Sequence, residues 1–139
     1  TQYFTKLLCQ GEDELSRLSD LFDLRPLAVK RAEFNRLAKA VRLELLKSRG
    51  DQCELQIAGV CLGNVDLQVD HLIPLATNVI NKLNGVKAVN GRKVKSHSYG
   101  SNHMSNLGLA CRACNAHKKH RILSAEEVRR ILSNRMRAR

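Results

Sequence analysis

The stretch Val69-Asp70-His71-Leu72-Ile73-Pro74 sets a carboxylate directly beside an imidazole, and two pairs of cysteines flank it, Cys53 with Cys61 and Cys111 with Cys114. The spacing Cys111-Arg112-Ala113-Cys114 lets two thiolates from one tight turn bind a single tetrahedral zinc, and the looser first pair would complete a closed structural site. A redox reading of the second pair needs a βαβ setting that the chain lacks. Disulfides fit poorly with a chain that shows no secretion signal. Cys9 is left over and is expected to be a buried small apolar residue. A zinc clip of this kind would tie residues 53–61 to 111–114. It would thereby draw the strand end carrying Asp70 and His71 close to Asn115, the residue after Cys114. A carboxylate oxygen and an amide oxygen are hard ligands suited to Mg²⁺, which prefers few protein ligands plus water and phosphate oxygens. The adjacent imidazole could then take a proton from a water aimed at phosphorus.

The distribution of charge indicates what such a site would act on. The chain has 24 Lys and Arg against 13 Asp and Glu, a formal net charge of +11. Residues 1–84 hold 11 of each sign, whereas residues 85–139 hold 13 basic against 2 acidic, so the whole excess lies in the last 55 residues. That asymmetry suggests a surface for a polyanion. With two Tyr, three Phe and no Trp, the chain is poorly equipped to stack unpaired bases. Contacts to the backbone of double-stranded DNA are the expected mode. No apolar run approaches the span of a bilayer and the N-terminus lacks a signal-peptide pattern, so an intracellular, cytoplasmic protein without a membrane partner is expected.

These residues need elements to hold them. At 139 residues the chain is one domain with a single modest core. Residues 12–23 place Leu15, Leu18, Leu21 and Phe22 on one helical face behind an acidic first turn. Pro26 suits an early residue of a second helix running to Lys47, with Gly50 as its stop. In that helix Phe34, Leu37, Ala38, Val41 and Leu45 form the predicted apolar stripe. Residues 51–66, with Gly59 and Gly63, read as an irregular knuckle. Short strands are predicted over 67–70 and 107–110, separated by a long connection, 77–105. A short helix is expected over 112–120. Ser124 to Glu127 reads as a capping box opening a last helix, with Val128, Ile131 and Leu132 inside and Arg129, Arg130, Arg135 and Arg137 outside.

The ordered combination of Cys53-x7-Cys61, Val69 to Pro74, and Ser105-Asn106-Leu107-Gly108-Leu109-Ala110-Cys111-Arg112-Ala113-Cys114-Asn115-Ala116-His117-Lys118 resembles the HNH endonucleases of the ββα-metal type. The resemblance covers about residues 50–122. It implies a ββα-metal core over 50–123 with structural Zn²⁺ on Cys53, Cys61, Cys111 and Cys114; together with the helices read at either end, an α+β, mostly helical chain is expected, with an N-terminal helical extension over 1–49 and a basic C-terminal helix over 124–139. The resemblance implies His71 as general base, and Mg²⁺ or Mn²⁺ held by Asp70 and Asn115. Asn106 would brace the loop and orient the histidine strand, and Lys118 would face the phosphate backbone. The implied product is a 5′-phosphate and a 3′-hydroxyl. His71 must be neutral to accept a proton, so activity is expected to fall as pH drops through its pKa.

Beyond the matched pieces, Lys119 and Arg121 are expected to be nonspecific phosphate contacts. In the long connection, Arg92, Lys93, Lys95, His97 and Tyr99 are the candidates for reaching a DNA groove. Among the other histidines, His103 is the expected helper of the site. A restriction or phage DNA-processing role fits a standalone domain of this size. Homodimerisation through the N-terminal helices would account for double-strand cuts, and monomeric nicking is equally allowed. Two other readings stay open: a zinc-stabilised DNA-binding module that no longer cleaves, and a nonspecific toxin-like nuclease.

Overall fold

The structure, a computed structural model, describes residues 19–75, 98–118 and 123–137. Its elements are α1 (Leu27–Arg49), β1 (Gln68–His71), a 3-10 turn (Met104–Asn106), β2 (Leu107–Ala110), α2 (Arg112–Lys118) and α3 (Ala125–Arg137). The described chain is α+β, and about half of it is helical. Of the helix expected over 12–23, residues 12–18 lie outside the described residues. The remainder closes in a turn that buries Leu21 and bridges Phe22 to Gly100.

Pro26 and Gly50 bound α1 as their backbone chemistry requires, with Gly50 at φ 80° and its N–H bonded back to Leu46. The helix lies over one face of a two-stranded antiparallel hairpin in which Val69 pairs with Leu109 and His71 with Leu107. Leu45, Leu107 and Leu109 are buried there, with Phe34, Val41 and Val69 packed around them. Leu37, predicted to be inside, is 44% exposed. A helix crossing so small a sheet buries a narrow line, and here that line runs through residues 30, 34, 41 and 45, leaving the i+3 neighbour of Phe34 at its edge.

The opposite face of the hairpin meets α2, the knuckle and α3. Cys53, Leu55, Leu72, Ile73, Cys111, Cys114, Val128 and Ile131 form that core. The capping box closes as predicted: Ser124 Oγ accepts from Glu127 N at 3.1 Å, and Glu127 Oε1 accepts from Ser124 N at 3.1 Å. Two of the arginines expected outside turn inward instead. Arg135 donates to Glu54 Oε2 at 2.6 Å and to the carbonyls of Ser105 and Leu107, and Arg130 donates to the carbonyl of Leu55 at 2.6 Å. The knuckle leaves carbonyls with no ladder partner, and a long guanidinium can reach them from the helix. Arg129 is half-buried; the Arg137 side chain lies outside the described residues.

The long connection returns to the fold before the 3-10 turn. Ser98 Oγ donates to Leu75 O at 2.6 Å, and Ser101 N to Leu21 O at 3.0 Å. Gly100 must be glycine, because a Cβ there would sit 2.1 Å from the carbonyl oxygen of Ile73. Tyr99, a candidate groove contact, packs against the core instead. Arg92, Lys93, Lys95 and His97 lie outside the described residues, as do Lys119, Arg121 and Cys9.

Candidate active site and metal centre

The cysteines come together as the spacing predicted. The Sγ atoms of Cys53, Cys61, Cys111 and Cys114 all lie within 4.8 Å of one another. A tetrahedral zinc with bonds of about 2.3 Å sets its sulfurs roughly 3.8 Å apart, so the cluster matches a four-thiolate site with little adjustment. The knuckle backbone is shaped for it. Gly63 adopts φ 75°, which lets its N–H turn to Cys61 Sγ at 3.4 Å while its carbonyl accepts from Cys53 N at 2.9 Å. Leu62 N and Cys114 N both donate to Cys111 Sγ at 3.4 Å.

The electrostatics of Cys53, Cys111 and Cys114 point the same way. Burial pushes the Cys53 thiol up, and burial together with Cys111 and Cys53 pushes Cys114 up strongly. Burial also opposes the Cys111 thiolate, but the N–H donors of Leu62 and Cys114 outweigh it and pull that thiol down to about 7. One thiolate is stabilised and its neighbours resist ionising beside it. A divalent soft-metal cation is what would let all four ionise together.

His71 and Asp70 end β1 and, as consecutive strand residues, point to opposite sides of the hairpin. His71 faces α1, its ring meeting the Phe34 ring edge-on with centroids 4.6 Å apart. Its Nε2 lies 2.8 Å from Asn102 Oδ1. Burial pushes the His71 pKa below the ordinary histidine value, against the pull of Asn102 and Asp70, so the imidazole is neutral near pH 7. Asp70 faces α2. Lys118 Nζ sits 3.0 Å from Asp70 Oδ2 and donates to His71 O at 2.8 Å. Oδ2 is buried, and this ion pair is its polar contact among the described residues.

Asn115 also reaches this face, with its Nδ2 3.5 Å from Oε1 of Gln68, the residue two before Asp70 on the strand. The carboxylate and the Asn115 amide therefore share the side of the hairpin that α2 covers. A carboxylate and an amide are the hard oxygen donors a divalent cation would take here, but the Lys118 ammonium already pairs with Asp70 Oδ2, so a cation would have to displace it. Lys118 does not stand out toward a phosphate backbone, as the resemblance implied. It is 7% exposed, because the buried Asp70 carboxylate draws the ammonium inward.

Asn106 is fully buried. Its Oδ1 accepts from Ile73 N at 2.8 Å, and its Nδ2 donates to Ile73 O at 3.0 Å and Ser101 O at 2.8 Å. Its own carbonyl accepts from Leu72 N at 2.7 Å. It braces the chain just after His71. His103 does not help His71. It is half exposed, its Nδ1 accepts from Ser105 N at 3.1 Å, and it caps the 3-10 turn. The neighbouring Asn102 takes the place expected of it. Asn102, Glu33 and Lys30 were missed by sequence reasoning. The only signal was a second asparagine four residues before Asn106, in Ser101-Asn102-His103-Met104-Ser105-Asn106.

Comparison with protein-family models, with curated proteins and with solved structures returns no match.

Proposed function

We propose that the chain is a metal-dependent endonuclease of the HNH ββα-metal type that hydrolyses phosphodiester bonds of duplex DNA. The observation that carries the reading is the end of β1, where the half-buried, neutral imidazole of His71 and the half-buried Asp70 carboxylate project from opposite faces of a hairpin whose second strand runs into the four-cysteine cluster at Cys111. His71 accepts the proton of the attacking water. Asp70 and the Asn115 amide oxygen would hold Mg²⁺ or Mn²⁺, whose charge would offset that developing on the phosphate and the leaving oxygen. Asn106 keeps the backbone after His71 in place. Zinc on the four cysteines is structural, since four protein ligands leave no open position. The basic excess of residues 85–139 supplies attraction to the duplex. A homodimer would give each strand its own site, and restriction or phage DNA processing is the setting this reading suits.

The ion pair between Lys118 and Asp70 favours a second reading, a zinc-stabilised DNA-binding module in which that carboxylate is structural. The two separate in one experiment with end-labelled duplex DNA, single strands and RNA, incubated with Mg²⁺ or Mn²⁺. Cleavage of duplex that stops with excess chelator and in Asp70→Asn supports the nuclease. Retarded, intact duplex under both metals supports the binding module, and equal cleavage of RNA and single strands supports a nonspecific nuclease.

A further inference from the structure

Three residues that join α1 to the segment before the 3-10 turn meet behind His71. Lys30 is fully buried and has no carboxylate within ion-pair distance among the described residues. Its ammonium donates to the carbonyls of Ser98 at 3.2 Å and Gly100 at 2.7 Å, and also to that of Asp23. This fastens the 98–102 backbone to the helix. Asn102 then turns its amide nitrogen to Lys30 O at 2.8 Å and Glu33 Oε1 at 3.0 Å. Both partners only accept, so the nitrogen of the amide must face them, and the oxygen must face His71. Reversing the amide would set Oδ1 against two acceptors. Arg25 locks Glu33 in turn, with Nη1 and Nη2 at 3.1 and 2.9 Å from its two carboxylate oxygens.

An oxygen fixed 2.8 Å from Nε2 of a neutral imidazole can be satisfied only by an Nε2–H. Among the described residues no hydrogen bond engages Nδ1. The Phe34 ring edge limits rotation of the imidazole. We infer that Asn102, held by Glu33 and by the Lys30 carbonyl, is the positioning residue that selects the Nε2–H tautomer of His71 and so leaves Nδ1 as the basic nitrogen. The helix outside the resembling region thus sets the state of the base. The inference rests on His71 being the general base, but its central observable does not.

The test is long-range nitrogen–proton NMR of the histidine rings in the ¹⁵N-labelled, zinc-loaded full chain at pH 7.5, without divalent ion or DNA. His71 is assigned by loss of its signals in His71→Gln. Wild type should show a single Nε2–H tautomer at His71. Asn102→Leu should convert it to a mixture or to Nδ1–H. Glu33→Leu, at a half-exposed position of α1 and checked to be folded by circular dichroism, should populate the second tautomer. Glu33→Gln keeps an acceptor for the Asn102 amide and should restore the single form. An Nδ1–H tautomer in wild type, or an Nε2–H signature untouched in the leucine variants, would overturn the inference. In parallel, plasmid cleavage by Glu33→Leu should lose about ten-fold in kcat with KM little changed, a part of the roughly 10²–10⁴-fold that general-base catalysis contributes. If no protein cleaves while the tautomers shift as stated, the nuclease reading fails and the positioning role stands. If cleavage requires His71 but the tautomer does not depend on Asn102 or Glu33, only the inference fails.

Discussion

At the residue scale, Asn106 and Glu33 make the sharpest statements. Asn106 satisfies one buried N–H and two buried carbonyls that have no water to turn to. Truncating it strands them, at about 1–3 kcal/mol for each lost partner. Asn106→Ala is therefore expected to lower unfolding free energy by at least about 3 kcal/mol in urea titration; a loss below about 1 kcal/mol would mean the brace is dispensable. Glu33 is held down to about 2 by its hydrogen bonds to Arg25 and then Asn102. A depressed carboxylate stabilises the fold fully above its ordinary value of 4.5 and loses that contribution as pH falls toward 2. The stability gap between wild type and Glu33→Gln should accordingly narrow as pH drops through that window in thermal melts; a gap constant with pH would contradict it. The cysteine cluster was legible because the spacing of its two pairs along the chain carries the chemistry; Asn106 was read from the resemblance. Asn102, Glu33 and Lys30 were not legible. Their partners lie about 70 residues away, and a polar residue on a helix face has no period that distinguishes a solvated side chain from a satisfied one.

At the element scale, the four-cysteine cluster is what fastens the knuckle to α2. Chelation at neutral pH is expected to melt residues 51–66 away from the hairpin, and one zinc per chain should be recovered by elemental analysis. Cys114→Ser should lose both the zinc and the cooperative thermal transition. Retention of an unchanged melting temperature without zinc would show the cluster to be a plain thiol core. The bounds of the elements were written locally: Pro26 and Gly50 for α1, the reciprocal Ser124–Glu127 bonds for α3, and the short apolar run of 107–110 for β2. Which side of each helix would be buried was less legible. The apolar period gave Leu45 correctly, yet it missed both the buried ammonium of Lys30 and the exposure of Leu37, since burial depends on how much sheet there is to cover. No described helix is long and apolar enough to cross a membrane.

At the scale of the whole molecule, Glu54 joins elements from three parts of the chain. Its Oε1 accepts from Arg49 of α1 at 3.1 Å and from Leu109 N of β2 at 3.0 Å, and its Oε2 accepts from Arg135 of α3 at 2.6 Å. Removing the carboxylate would leave two half-buried guanidinium groups facing each other. Glu54→Ala is expected to cost about 3–5 kcal/mol, read by urea titration, with α1 and α3 losing protection from hydrogen exchange together. Loss at only one helix would show that Glu54 does not couple them. The basic excess of residues 85–139 was legible from the sequence alone. The most direct measurement is nicking of supercoiled plasmid in Mg²⁺ or Mn²⁺ by wild type and by a folded, zinc-loaded His71→Ala. Metal-dependent nicking by wild type that falls by roughly a hundred-fold or more in the variant is expected. Equal nicking by the two proteins, or retarded but intact plasmid with both, would contradict it.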